Sequence, residues 1–237
     1  MKIALAAARL KNRDVLYNLS QISRYIHAAE QEGAELICFG ESFLQGFDCL
    51  DWEYEKDRET AVSTDSPAFK QVCFLSEETG VDVLFGFVER QGEALYSACA
   101  LVEKGVLTHC YRRVSQGWKE YNCTDAHYQE GAAAEIFRYR GKDCLLALCG
   151  DLWDCPEQFA QGEELLFWPV YISFPPEEWK GGVREEYARQ GAKCCAKTLF
   201  VNSVADDDAY GGACLFENGA VSAELPMGKE GMLVVEV

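Results

Sequence analysis

Residues 1–41 read MKIALAAARLKNRDVLYNLSQISRYIHAAEQEGAELICFGE, and the fold class is decided there. Met1–Ala8 is apolar apart from Lys2, as in a strand buried on both faces. A polar turn over 11–14 follows. From Asp14, a residue type suited to helix capping, Leu16, Leu19, Ile22, Ile26 and Ala29 recur at spacings of three and four, which predicts one apolar helix stripe that Gly33 stops. Ala34–Phe39 is a second short apolar run, ending at Gly40-Glu41. Strand, helix and strand in this order make a βαβ unit, the building block of a sheet covered by helices.

Outward from that unit the alternation continues. Residues 51–65 are charge-rich and predict a surface loop or helical insertion, and Ser66-Pro67 opens a helix to Glu78 that Gly80 ends. Val81–Val88 and Leu95–Val102 form a hairpin, and Gly105 turns into a third run, Val106–Val114. A polar loop over 115–131 precedes two further runs, Glu135–Tyr139 and Cys144–Cys149. Leu165–Ile172 reads as a strand interrupted by Pro169, and Pro175-Pro176-Glu177-Glu178 starts a helix expected to reach about Thr198. Leu199–Val204, Ala213–Phe216 and Met232–Val237 supply the last strands, with Asn218-Gly219 as a hairpin turn. No repeat or linker divides the chain, so a single α/β domain over 1–237 is expected, layered with both sheet faces covered.

Composition narrows the function. The 237 residues are 49% hydrophobic and carry a net charge of −17, which repels a phosphate backbone and argues against nucleic acid. The longest apolar stretches fall far short of the roughly 20 residues of a membrane span, and no secretory pattern opens the chain, so a soluble cytoplasmic protein is expected. Of the twelve cysteines, expected to be reduced, Cys38, Cys99 and Cys144 sit inside apolar runs, where a thiol behaves as a small hydrophobe. His27, His109 and His127 lie far apart and no Cys-x-x-Cys occurs, so neither a metal nor any other cofactor is expected.

Three predicted strand exits carry the polar residues of interest: Glu41, the segment from Arg113 to Glu120, and Cys149. The stretches Gly33-Ala-Glu-Leu-Ile-Cys-Phe-Gly-Glu41-Ser-Phe-Leu-Gln-Gly-Phe47, Tyr111-Arg-Arg-Val114 and Leu146-Ala-Leu-Cys149-Gly-Asp-Leu-Trp-Asp-Cys-Pro156-Glu157 together resemble the nitrilase (carbon–nitrogen hydrolase) superfamily. The resemblance implies an αββα sandwich, two mixed sheets covered by helices, and a homodimer. It also implies a Glu, Lys, Cys triad that cleaves small linear amides, carbamoyl compounds or nitriles through a thioester, releasing ammonia or an amine.

Glu41 and Cys149 match the first and last triad members, whereas the slot of the lysine holds Arg113. A thiol with an ordinary pKa near ~8.5 is mostly protonated at neutral pH, so a carboxylate must take its proton before attack, and a cation with backbone N–H groups must meet the charge that develops. Glu41 suits the first task. For the second, Arg113 stays charged but is bulky and planar, while Lys119, beyond Gly117, offers an ammonium from another backbone position; Lys119 is placed in the triad, with Arg113 kept as the other candidate for the cation or for orienting the substrate. Glu120 would orient the cation or the substrate, and Gly150 and Asp151 would shape the oxyanion site or the nucleophile turn. Trp118, Tyr121 and Trp153 are candidates for the substrate pocket. The rival reading is a catalytically silent binding or scaffolding subunit that lost its lysine to Arg113; a weaker third is a redox-sensing thiol protein built on Cys123, Cys149 and Cys155.

Overall fold

The computed structural model describes residues 1–206 and 209–237. Two six-stranded sheets face each other, each with three parallel strands at its centre and antiparallel strands at its edges. The first holds β1 (Lys2–Ala7), β2 (Leu36–Cys38), β3 (Asp82–Gln91), β4 (Ala94–Glu103), β5 (Val106–Arg112) and the last strand, β12 (Gly231–Glu236), in the order β12-β1-β2-β3-β4-β5. The second holds β6 (Phe137–Tyr139), β7 (Lys142–Leu146), β8 (Leu165–Val170), β9 (Lys197–Asn202), β10 (Ala213–Glu217) and β11 (Ala220–Leu225), ordered β11-β10-β9-β8-β7-β6.

The two-residue period of a strand sorts the first sheet's side chains between two cores. Ile3, Leu5, Leu84 and Leu101 point to the second sheet and join Leu145, Phe167 and Val201. Ala4, Ala6, Phe85 and Ala100 point the other way, onto α1 (Val15–Gln31) and α3 (Pro67–Thr79). Helix α1 starts where the sequence places it, since Asp14 accepts a hydrogen bond from the Tyr17 N–H at 2.9 Å. Ser66 caps α3 in the same way through the Phe69 N–H. On the second sheet, Trp168 stacks on Tyr187 of α6 (Arg184–Ala192), at 5.1 Å between centroids, closing the outer face.

Several boundaries differ from expectation for physical reasons. Leu16 is 81% exposed and does not share the buried stripe of α1, where Asn18 and Tyr25 join Ile22, Ile26 and Ala29. Asn18 earns its burial by donating from Nδ2 to the carbonyls of Lys11 and Leu44 and accepting the Lys11 N–H on Oδ1. The charged 51–65 stretch contains a short helix, α2 (Tyr54–Thr60). Pro169 does not interrupt β8. Its carbonyl accepts from Cys149 N, so its missing donor faces the side where β7 has already ended. The helix expected up to Thr198 breaks at Gly182, whose φ of 138° is open to glycine, and it ends at Ala192. Asn218-Gly219 does turn a hairpin, and its second arm is β11, a half-exposed strand whose mixed polarity hid it.

Candidate active site

Glu41 leaves β2 and Cys149 leaves β7, so both stand beyond the carboxyl ends of parallel strands, one from each sheet. The two exits meet because Glu41 N donates to the Val170 carbonyl of β8. The turn at Glu41 needs room. A Cβ on Gly86 of β3 would lie 2.4 Å from Ser42 N, 2.6 Å from Gly40 O and 2.7 Å from Glu41 Cα, and Ser42 itself has a positive φ of 49°. Gly86→Ala is expected to lower stability by about 1–3 kcal/mol through overpacking, read as a lower denaturant midpoint with an unchanged slope.

Cys149 also takes a left-handed backbone conformation, φ 42°, at the turn into α4 (Asp151–Asp154). Its N–H donates to Pro169 O at 3.0 Å, its carbonyl accepts from Trp168 Nε1 at 2.8 Å, and its Sγ lies 3.5 Å from the Tyr171 carbonyl. Burial pushes the Cys149 thiol up to about 12; the Glu41 carboxylate adds to this and the Arg113 cation opposes it. The sulfur is therefore a protonated thiol at rest, and could attack only if a base took its proton.

Arg113, just past β5, is paired with Glu41. Its Nη1 donates to Glu41 Oε1 at 3.0 Å and its Nε to Ser115 Oγ at 2.7 Å, with both charged side chains buried. Burial works against the guanidinium's charge, but Glu41, Cys149 and Asp151 outweigh it and hold the arginine firmly protonated. Ser97 of β4 donates to the same Glu41 oxygen at 2.9 Å, while Oε2 has no hydrogen-bond partner among the described residues. The crowding expected of a planar fork is relieved by two glycines: an added Cβ would sit 2.6 Å from Arg113 Nη2 at Gly150 and 3.1 Å at Gly117.

Lys119 is elsewhere. Its Nζ pairs with Glu130 Oε1 at 2.7 Å and donates to the Tyr128 carbonyl, while Glu41 holds Arg113. Glu120 is exposed, its backbone carbonyl capping the turn at Cys123 and Thr124. Trp118 is buried in a satellite cluster with Leu50, Leu95 and Tyr128, Tyr121 is 56% exposed, and Trp153 is 42% exposed against Tyr187, 5.2 Å away. The structure thus gathers Glu41, Arg113, Cys149, Gly150 and Asp151, and leaves Lys119, Glu120 and the three aromatic residues outside that contact set.

Ser97 and Ser115 escaped the sequence reading. For Ser97 a signal existed: it is the one aliphatic hydroxyl in the apolar run Leu95–Val102. Among the described residues no group of three or more His, Cys, Asp or Glu side chains could hold a metal ion, and no helix is long and apolar enough to cross a membrane.

Comparison with known proteins shows the family and the fold. Residues 2–137 match the family model described as carbon-nitrogen hydrolase, a match that ends before Cys149. The chain is similar to the N-carbamoylputrescine amidase of Solanum tuberosum, 26% identical over 177 residues, covering 70% of this chain and 57% of that protein. It therefore spans little more than half the length of such curated relatives. In fold it resembles an amidase of the nitrilase superfamily from Nesterenkonia AN1, with a TM-score of 0.81 and 19% identity over 100% of this chain and 90% of that one. A second structure of that amidase, at TM-score 0.80 and 19% identity over 100% of this chain and 93% of that one, shows acrylamide joined by Michael addition to the active site cysteine. The architecture is the αββα sandwich of these neighbours.

Proposed function

The chain belongs to the carbon–nitrogen hydrolase family, and we propose that it is a cysteine-dependent hydrolase of small linear amides, carbamoyl compounds or nitriles in which Glu41, Arg113 and Cys149 carry the reaction. The observation that supports this reading above others is the buried Glu41–Arg113 pair set against the turn that presents Cys149. With an amide, Cys149 Sγ attacks the carbonyl carbon while its proton passes to Glu41. The oxyanion is met by the Arg113 charge and by backbone N–H groups of the turn. Collapse breaks the carbon–nitrogen bond as Glu41 returns the proton to the departing ammonia or amine, leaving a thioester. Water then gives its proton to Glu41 and its oxygen to the acyl carbon, and the thiol is restored as the acid leaves.

A thiol pushed up to about 12 is a good proton reservoir and a poor spontaneous nucleophile, which makes the adjacent carboxylate indispensable. Arg113 meets the cation requirement from the slot where the family has lysine, and that weighs against a silent subunit. The test is a panel of small amides, carbamoyl compounds and nitriles read by ammonia release, beside mass mapping after exposure to acrylamide. Expected are turnover of at least one linear compound and one adduct formed first on Cys149 among the twelve thiols. No ammonia across the panel would overturn the reading, whatever the preference for Cys149.

A further inference from the structure

Asp151 takes no part in the proton transfers just described, yet its carboxylate is fully buried and accepts four hydrogen bonds. Oδ1 accepts from Val114 N at 3.2 Å and Ser115 N at 2.8 Å; Oδ2 accepts from Leu148 N at 2.8 Å and Tyr111 Oη at 2.6 Å. Three of these donors flank Arg113 along the exit of β5, in the first sheet. The fourth belongs to the residue before Cys149, beyond β7 in the second. One carboxylate therefore joins the segment that carries the cation to the segment that carries the nucleophile.

We propose that Asp151 is a positioning residue that sets the placement of the Arg113 guanidinium against Cys149. This rests on the hydrolase reading above. A buried carboxylate suits the place because it is acceptor-only, and every neighbour it meets is a donor. An asparagine of the same shape cannot satisfy the set. Whichever way its amide turns, NH2 faces either the Val114 and Ser115 N–H groups or that of Leu148, and only the Tyr111 hydroxyl can reverse its role. The two segments then part. Arg113 already leaves little space beside Gly150, so a small shift moves it relative to both Glu41 and the sulfur.

The experiment compares Asp151→Asn and Tyr111→Phe with the wild type by thermal midpoint, active folded fraction, kcat and KM, and the rate at which iodoacetamide alkylates Cys149 relative to the other thiols. For Asp151→Asn the expected result is a fall of about a hundredfold in kcat per folded molecule, with KM held within about threefold. Cys149 alkylation falls about tenfold, since the cation that favours its thiolate has moved. Tyr111→Phe, which removes one donor, shifts kcat and alkylation in the same direction by about three- to tenfold. Wild-type kcat and alkylation per folded molecule in Asp151→Asn, whatever its thermal midpoint, would overturn the proposal by reducing Asp151 to a structural residue. Should that variant fail to fold, Tyr111→Phe decides, and wild-type rates in it overturn the proposal. If the wild type hydrolyses nothing in the panel, the functional reading fails, whereas the alkylation rates still decide the positioning role.

Discussion

Arg113→Ala is expected to lower kcat about a thousandfold, against about threefold or less for Lys119→Ala, with Cys149→Ala inactive as the reference. The difference follows from where each cation lies. Removing the guanidinium leaves Glu41 buried with Ser97 as its remaining hydrogen-bond donor, and it withdraws the charge that opposes the rise of the Cys149 thiol. Both half-reactions then lose their electrostatic support. Lys119 holds Glu130 and the Tyr128 carbonyl in the loop after β5, so its loss lowers the thermal midpoint without touching the reacting groups. Arg113→Lys falls between: an ammonium keeps the charge for Glu41 but gives up the rigid fork that reaches Ser115 and Glu41 at once. Steady-state kinetics of the four variants, normalised to folded protein, decide the matter. Equal losses for Lys119→Ala and Arg113→Ala would show that the cation assignment is wrong.

This outcome bears on how a guanidinium can serve where an ammonium is expected. Arginine needs volume and a plane of partners. Gly150 and Gly117 give the volume, because a single added carbon at either position would press on Nη2. Ser115 and Glu41 give the partners. The substitution of one basic residue for another is thus matched by the absence of side chains around it, as in a site fitted to arginine.

The fold was legible because its signals are local. The strand–helix–strand order of 1–41, the Asp14 and Ser66 caps and the Asn218-Gly219 turn each act through neighbouring residues. Glu41 and Cys149 were legible for the same reason, as polar residues following buried runs. Which basic side chain pairs with Glu41 was not, because Arg113 and Lys119 lie in one loop and only the folded path of that loop decides it. Leu16 misled because helical spacing alone cannot say how far along α1 the sheet extends. Its exposed side chain lines an open groove of about 780 Å³ between α1 and α3. Asp151 was expected at the oxyanion site or the turn after Cys149, but its hold on Val114 and Ser115 spans two sheets and leaves no mark in sequence spacing.

The burial that suppresses the nucleophile's ionisation also acts on the other interior thiols, and it makes the protein sensitive to alkali. Cys49, Cys144 and Cys149 are pushed up to about 12, and Cys38, Cys99 and Cys214 are raised as well, in every case chiefly by burial. In the unfolded chain each of these thiols loses its proton near ~8.5. Between that pH and the folded value the unfolded state binds fewer protons, so the unfolding free energy falls as pH rises; below ~8.5 both states are protonated and the stability is complete. The slope approaches ~1.4 kcal/mol per pH unit for each thiol, or about 2 kcal/mol apiece by pH 10. Six such groups together reach the size of an ordinary domain's whole folding free energy, about 5–15 kcal/mol. Under reducing conditions the urea midpoint is therefore expected to hold steady from pH 7 to 8 and to collapse by pH 10. A midpoint that stayed level to pH 10 would mean that these thiols ionise in place, and with them the Cys149 sulfur, which would then need no carboxylate to release its proton.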